Sequence, residues 1–405
     1  MRNLGKVIAR GLGAVGLIAL AACSPIQIGS RVLDFGGGGG NAQTMPMQPA
    51  MMPSGPAQSF GRGPVQVALL LPLTGDPGLA QVGQSLANAS RLAISFVEAN
   101  PNIAENITIS LRDTGSTVAG ATAAASAALA DGAKLILGPL TAEAVTAVGA
   151  VARSGGVPVI GFSNNPTAAG PGVYLLSVLP DMEMKRSLNW LKTQGRRGIA
   201  GVFPATAFGQ AQQTAFRQQA AIAGFAPSAV YTFSNVEEAR QIVDQALPQI
   251  QKGMIDTLFL PDRATAPSFG VLLAQAGIAP DAVQIVGSAD WEGDPTIATA
   301  SPLSGAIYPA VDPAGMAAIA ADYQRQFGGQ PHALATIAYT AVILANVNTL
   351  SMATPPYNPV LMTNAQGFNG RDGVFRFLGN GRAEYALVIK RIMPGGAQMV
   401  EGAGL

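Results

Sequence analysis

The sequence is poor in the residues that do chemistry. It holds one cysteine and one histidine in 405 residues, and 12% of the chain is charged. A lone cysteine excludes an internal disulfide and any Cys-x-x-Cys redox or metal motif. The lone histidine, His332, follows Pro331 where a helix is expected to begin, a structural or solvated place rather than a catalytic one. No Gly-x-Ser-x-Gly elbow accompanies it, so Ser-His-Asp hydrolysis lacks its parts. Metal sites need clusters of His, Cys or carboxylates, and the sequence shows no such cluster. Basic residues are sparse, form no stripe and leave a net charge of +1, which argues against a nucleic-acid surface. Arg196-Arg197 reads as a solvated turn after Gly195. Gly367, Gly370 and Gly373 are periodic but precede a strand, not a helix, so they form no dinucleotide loop. The sequence therefore predicts no catalytic residue, no metal and no cofactor. Long apolar runs are missing too: Gly11 to Ala22, at 12 residues, is too short to span a bilayer as a helix.

That short run has a setting that gives it meaning. Arg2, Lys6 and Arg10 precede it, and Leu20-Ala21-Ala22-Cys23 follows. Charged, apolar and small-residue regions in that order mark residues 1–23 as a targeting segment. The last four residues resemble the bacterial lipobox, in which the cysteine accepts diacylglycerol. The resemblance makes Cys23 a lipidation site and predicts a periplasmic protein tied to a membrane through its acyl chains. Ser24 stands where Asp tends to retain such lipoproteins in the inner membrane, which favours the outer membrane.

Residues 24–63 then change composition. Gly36 to Gly40 are five consecutive glycines, followed by Met45-Pro46-Met47-Gln48-Pro49 and Met51-Met52-Pro53-Ser54-Gly55-Pro56. Such a stretch buries too little apolar surface to offset its ordering entropy, and it is expected to be a disordered tether. As a flexible coil it reaches about 35 Å. The methionines read as part of this tether rather than as thioether ligands for copper.

From residue 64 onward short β-rich runs alternate with alanine-rich helical stretches. Val65 to Leu71 is a continuous apolar run, as a strand buried on both faces requires. A helix is predicted over Leu79 to Ala99, with Leu86, Ala89, Ala93 and Val97 on one stripe. Ile107 to Leu111, Lys134 to Leu137 and Val157 to Gly161 read as strands, with helices over Val118 to Ala130 and Thr141 to Arg153. The grammar restarts after Asp181, with strands at Ile199 to Phe203, Val230 to Phe233, Asp256 to Leu260 and Gln284 to Val286. Val374 to Leu378 and Tyr385 to Ile389 read as an antiparallel pair joined by Gly379-Asn380-Gly381, a strong hairpin signal. The expected fold class is α/β, with two doubly wound, Rossmann-like lobes.

Several motifs in order resemble the type I periplasmic-binding family that includes the Leu/Ile/Val receptors. They are Val67 to Gly75, Gly138-Pro139-Leu140-Thr141, Gly156 to Ile160, Phe208-Gly209, and Gly370-Arg371-Asp372-Gly373 through Gly379-Asn380-Gly381. The resemblance implies lobes of parallel sheets joined by three crossovers, with a small-molecule ligand in the cleft between them. It assigns residues 64–180 and about 305–350 to the first lobe, and 181–304 and about 351–395 to the second. Ligands of open α/β sheets sit beyond the carboxyl ends of the strands. The candidates there are Thr74, Gly75, Asp76, Gly138, Thr141, Ser163, Asn164, Asn165, Phe208, Asp262, Asp290 and Trp291. Trp291 reads equally as a cleft residue and as a core edge, and Asn164-Asn165-Pro166 reads as a ligand loop or a simple turn.

The amino-acid receptors hold a carboxylate with Ser or Thr hydroxyls; this sequence aligns Ala142 and Asn164 there, with Thr141 one position away. Within the superfamily it looks closer to outer-membrane lipoproteins that activate penicillin-binding proteins. The lipobox and tether suit that role, although a tether stands here in place of the helical-repeat domain such activators carry. The resemblance thus implies two partners, a penicillin-binding protein or, alternatively, an ABC permease served by a solute receptor for branched-chain amino acids or a similar small molecule.

Overall fold

The computed structural model describes residues 57–404, apart from Ser228 and Pro280. The targeting segment, Cys23 and the tether up to residue 56 lie outside the described residues.

The first lobe opens with β1 (Gln58–Phe60), β2 (Val65–Leu71), α1 (Pro77–Ala99), β3 (Ile107–Asp113), α2 (Val118–Ala130), β4 (Leu135–Leu137), α3 (Ala142–Ser154), β5 (Val159–Gly161) and β6 (Val173–Leu175). Its sheet has the order β1-β3-β2-β4-β5-β6, parallel except for β1. β2 lies central and shows why its sequence is apolar from Val67 onward. Val67, Leu69 and Leu71 face one core with α1, while Ala68 and Leu70 face a second core with α2 and α3. The second face suits Ala121, Ala124, Ala125 and Ala128 of α2, whose small side chains let the helix lie close to the sheet.

The second lobe holds α4 (Pro180–Thr193), β7 (Ile199–Pro204), α5 (Ala207–Ala223), β8 (Ala229–Phe233), α6 (Val236–Gln251), β9 (Thr257–Phe259), α7 (Ala266–Gln275), β10 (Gln284–Val286), α8 (Pro295–Thr299) and β11 (Ile307–Ala310). The chain then returns to the first lobe for α9 (Pro313–Phe327), α10 (Ala335–Asn346), β12 (Phe368–Gly370), β13 (Gly373–Phe377) and β14 (Ala383–Tyr385), and finishes in the second with β15 (Leu387–Met393) and β16 (Gly396–Gly404). The second sheet has the order β16-β15-β11-β10-β9-β7-β8. The chain crosses between lobes at residues 176–179, 311–312 and 386.

Two boundaries differ from the sequence reading. β11 belongs to the second sheet, where it pairs with β10 and β15. Residues 351–385, expected in the second lobe, belong to the first. Phe377 packs 5.2 Å from Tyr174, Phe375 stacks 5.5 Å from Tyr385, and all four rings share the first-lobe core. The turn and the first strand of the expected hairpin are found, but the partner strand is shorter and earlier: β13 pairs with β14 through Phe375↔Tyr385 and Phe377↔Ala383, while Leu387 to Ile389, expected in the hairpin, belong to β15 of the second sheet. The hairpin turn docks on the sheet edge, where Leu175 N–H donates to Gly381 O at 2.8 Å. Turn chemistry announces a hairpin but carries no information on which lobe the hairpin joins.

The tether also ends earlier than residue 63. Gln58, Ser59 and Phe60 pair with Leu111, Ser110 and Ile109. Gly61 has a left-handed φ of +82°, and a side chain at Gly63 would meet the Asn106 backbone at 2.0 Å. These glycines permit a close turn onto the sheet rather than supplying slack.

Candidate functional site

A cavity of about 300 Å³ lies between the lobes. It sits beyond the carboxyl ends of β5, β7, β9, β10 and β11, where Asn164, Phe208, Arg263, Asp290 and Val311 line it. Its titratable groups come from both walls. Asp372, from the turn between β12 and β13, and His332, before α10, stand on the first-lobe side. Glu183 of α4, Arg263, Asp290 and Glu292 stand on the second-lobe side.

Glu183 occupies the inward face of α4 with Ser187 and Trp190, so the helix that carries the chain into the second lobe also buries a carboxylate. Glu183 is 5% exposed. Its Oε2 accepts from Gln212 Nε2 at 3.1 Å and from Ala289 N at 3.2 Å. Burial pushes its pKa up to about 7 despite those two hydrogen bonds, with the Asp290 charge adding to the rise. Asp372 is 3% exposed. Burial raises it to about 6, against a hydrogen bond from the Thr336 side chain. Its neighbour Tyr385 is held well above the usual phenol range by burial and by the Asp372 charge.

The other two carboxylates have cations. Glu292 takes Lys390 Nζ at 2.6 Å and the Tyr308 hydroxyl at 2.9 Å. Asp290 pairs with Arg263, whose Nε lies 3.4 Å from Oδ2. Burial raises Asp290, with the Arg263 charge opposing. Burial and the Arg263 charge both lower His332, so its imidazole is neutral over a wider range of pH. Its ring Nδ1 accepts from Leu334 N at 3.2 Å, which spends the histidine on the start of α10.

Of the residues expected in the cleft, Asn164, Phe208 and Asp290 line the cavity. The first-lobe strand ends serve other purposes. Thr74 gives its hydroxyl to Asp113 at 2.5 Å, Gly75 lies against Gly115 O with φ +92°, and Asp76 caps α1 through Leu79 N at 2.8 Å. Gly138 packs on Leu70 O, and Thr141 stands at the N-cap of α3 without a side-chain cap bond. Ser163 is buried and accepts from Asn165 N at 3.1 Å, while Asn165 caps the turn at Pro166–Ala168. Asp262 accepts the Thr265 hydroxyl at 2.5 Å, near the start of α7.

Trp291 is a correction. It is 1% exposed in the second-lobe core, 6.0 Å from Tyr308 and pressed so closely on Gly287 that a side chain there would meet its ring at 2.2 Å. Its core-edge reading prevails over the cleft reading because the large apolar ring gains more from full burial.

Glu183, Arg263 and Asp372 were not singled out from the sequence as cleft residues. The one local signal for Glu183 was an acid at inward helical spacing between Met182 and Met184. Asp372 lay in a motif read only as hairpin.

The sequence profile of the Periplasmic binding protein family matches residues 64–382. The chain belongs to that family, in its type I branch. No relative is found among curated protein sequences. Among solved structures, a Rhodospirillum rubrum protein provisionally named a branched-chain amino acid ABC transporter aligns over 83% of this chain and 99% of its own, at 19% identity and a TM-score of 0.71. An ABC transporter substrate-binding protein from Desulfitobacterium hafniense in complex with Leu aligns over 83% and 99%, at 17% identity and a TM-score of 0.64. A solute-binding protein of an ABC transporter from Rhodopseudomonas palustris BisB5, in complex with 3,4-dihydroxybenzoic acid, aligns over 84% and 96%, at 18% identity and 0.60. Likeness at this level establishes the two-lobed fold. Membership places the protein in the periplasm, and no helix among the described residues is long and apolar enough to cross a membrane.

Proposed function

We propose that the protein is a non-enzymatic solute receptor, which holds a small molecule between its lobes and presents it to an ABC permease from a lipid anchor at Cys23. The observation that carries this reading is the inter-lobe cavity, about 300 Å³ in size, beyond the strand ends of both sheets and lined by a few convergent charged groups. The structural neighbours named as ABC transporter binding proteins support it. The side chains around the cavity do not form the hydroxyl pair that the amino-acid receptors use: Ala142 is the first residue of α3, and Asn164 is an exposed amide. The ligand is therefore not assigned from the resemblance to leucine receptors.

Thermal unfolding of the purified chain against amino acids, aromatic acids, small peptides and muropeptides tests this reading. A ligand of the native state at a hundred times its dissociation constant adds about 2.7 kcal/mol of stability. A saturable shift with one class of compound is expected; a flat panel with a cooperative melt overturns the reading.

The lipobox, Ser24 and the long Gly/Pro/Met tether favour a second reading, an outer-membrane lipoprotein that activates a penicillin-binding protein. That reading expects the flat panel, together with retention of a purified penicillin-binding protein by the immobilised chain.

A further inference from the structure

Four carboxylates line the cavity, and two of them have a cation. Glu292 has Lys390 and Asp290 has Arg263. Glu183 and Asp372 have none among the described residues, although both are more than nine-tenths buried. Both hydrogen bonds to Glu183 go to Oε2, which leaves Oε1 without a partner on the cavity side. Asp372 has only the Thr336 side chain. A buried carboxylate without a counter-charge is costly, so such groups hold a proton more readily than in water, and a cation placed beside them stabilises the charged form. The two unpaired acids come from different lobes, Asp372 from the first and Glu183 from the second, so a cation at each engages both walls.

We propose that the cleft takes a ligand carrying two amine cations, a diamine or diamino acid, one nitrogen held by Glu183 and the other by Asp372. This rests on the receptor reading and narrows it. Arg263, half-exposed at the cavity edge beside Asp290, is left to meet a carboxylate where the ligand has one.

Calorimetric titration of the purified full-length chain with 1,3-diaminopropane, 1,4-diaminobutane, 1,5-diaminopentane, lysine, leucine and 3,4-dihydroxybenzoate tests it. At least one diamine or lysine is expected to bind at least tenfold more tightly than leucine and dihydroxybenzoate. Glu183→Gln and Asp372→Asn, each nearly isosteric and in a different lobe, are each expected to weaken that binding at least tenfold while the melt stays cooperative. If one variant fails to fold, the other still reads the result. Binding of leucine or dihydroxybenzoate as tight as that of every diamine overturns the dication and leaves the receptor reading standing. Diamine binding that survives both substitutions overturns the assignment to these two acids. No binding by any compound overturns the dication, and the wider panel of amino acids, peptides and muropeptides then decides whether the receptor reading falls with it.

Discussion

Asp113 of the first lobe and Glu183 of the second, two carboxylates near strand ends, are treated in opposite ways, and the buried Asp372 of the first lobe sides with Glu183. Asp113, at the end of β3, is surrounded by donors: Leu73 N at 2.8 Å, Thr74 N at 3.2 Å, Gly115 N at 2.8 Å and the Thr74 hydroxyl at 2.5 Å. Burial pushes it up, but these hydrogen bonds outweigh burial and the carboxyl titrates below its usual range. Glu183 has two donors and deeper burial, and burial wins. The number of oriented N–H groups within reach decides the sign. The first carboxylate is a structural tie that closes loops upon themselves; the second keeps an oxygen for something else.

The lobes share one packing device, which supplies the largest expected effect and a control for the rest. Gly83 of α1 sits where a side chain would lie 1.9 Å from Pro72 O, and Gly209 of α5 sits where one would lie 1.9 Å from Pro204 O. In each lobe a proline just after or at the end of a strand meets a glycine on the following helix. Gly83→Ala and Gly209→Ala force the helix off the sheet and are each expected to cost about 3 kcal/mol by overpacking. Urea unfolding measures both. Similar losses establish the lobes as alike in packing, so that differences in the next two substitutions belong to electrostatics; a loss below about 1 kcal/mol at one site breaks the parallel.

Glu183→Gln is next. The folded carboxyl titrates at about 7 against an ordinary value of 4.5. A raised pKa contributes stability that is full below the ordinary value and is lost as pH rises through the folded one, because the unfolded chain ionises first. The variant should match the parent near pH 4.5 and exceed it at pH 8 by about 2 kcal/mol, the full shift corresponding to somewhat more. Denaturant midpoints at the two pH values give the answer. A variant less stable than the parent at pH 8 shows instead that Glu183 is held as a favourable anion, and Glu183 and Asp113 are then treated alike.

Asp113→Asn inverts that pattern. A lowered pKa contributes stability present above the ordinary carboxylate value and lost as pH falls through the folded one. The amide loses acceptor capacity toward Leu73, Thr74 and Gly115, so a cost of about 1–2 kcal/mol is expected at pH 7 and a smaller one near pH 3. A cost independent of pH between 3 and 7 removes the contrast between the two carboxylates.

The same contrast explains what was legible in the sequence. Apolar runs such as Val65 to Leu71 and helices such as Val118–Ala130 were legible because periodicity and composition are local properties. The targeting of ligand loops to strand ends was legible as a rule of topology, yet it drew attention to hydroxyls and glycines. At Thr74, Gly75 and Gly138 those residues are used up in closing the first lobe's own turns. Glu183 and Asp372 become cleft residues only when α4 and the β12–β13 turn are brought to one cavity from residues far apart in the chain. No local pattern marks that meeting. The lobe to which residues 351–385 belong was hidden for the same reason, since Phe377 finds Tyr174, some two hundred residues earlier in the chain, only through the tertiary fold.

Arg263→Ala should have the smallest effect on stability, and it separates two uses of charge at the second lobe's strand ends. The Arg263 side chain is 51% exposed, and its Nε lies 3.4 Å from Asp290 and 3.9 Å from Asp294. Solvent screens such pairs, so less than about 1 kcal/mol is expected, and less still in high salt. Its effect on the cavity runs the other way. Arg263 opposes the burial that raises Asp290, so without it the Asp290 carboxyl should titrate higher, a change that carbon-detected NMR of the carboxyl follows directly. A near-silent melt with a displaced Asp290 titration places Arg263 in the cleft's electrostatics. A large loss of stability instead makes it a tie like Asp113, and the second lobe then resembles the first.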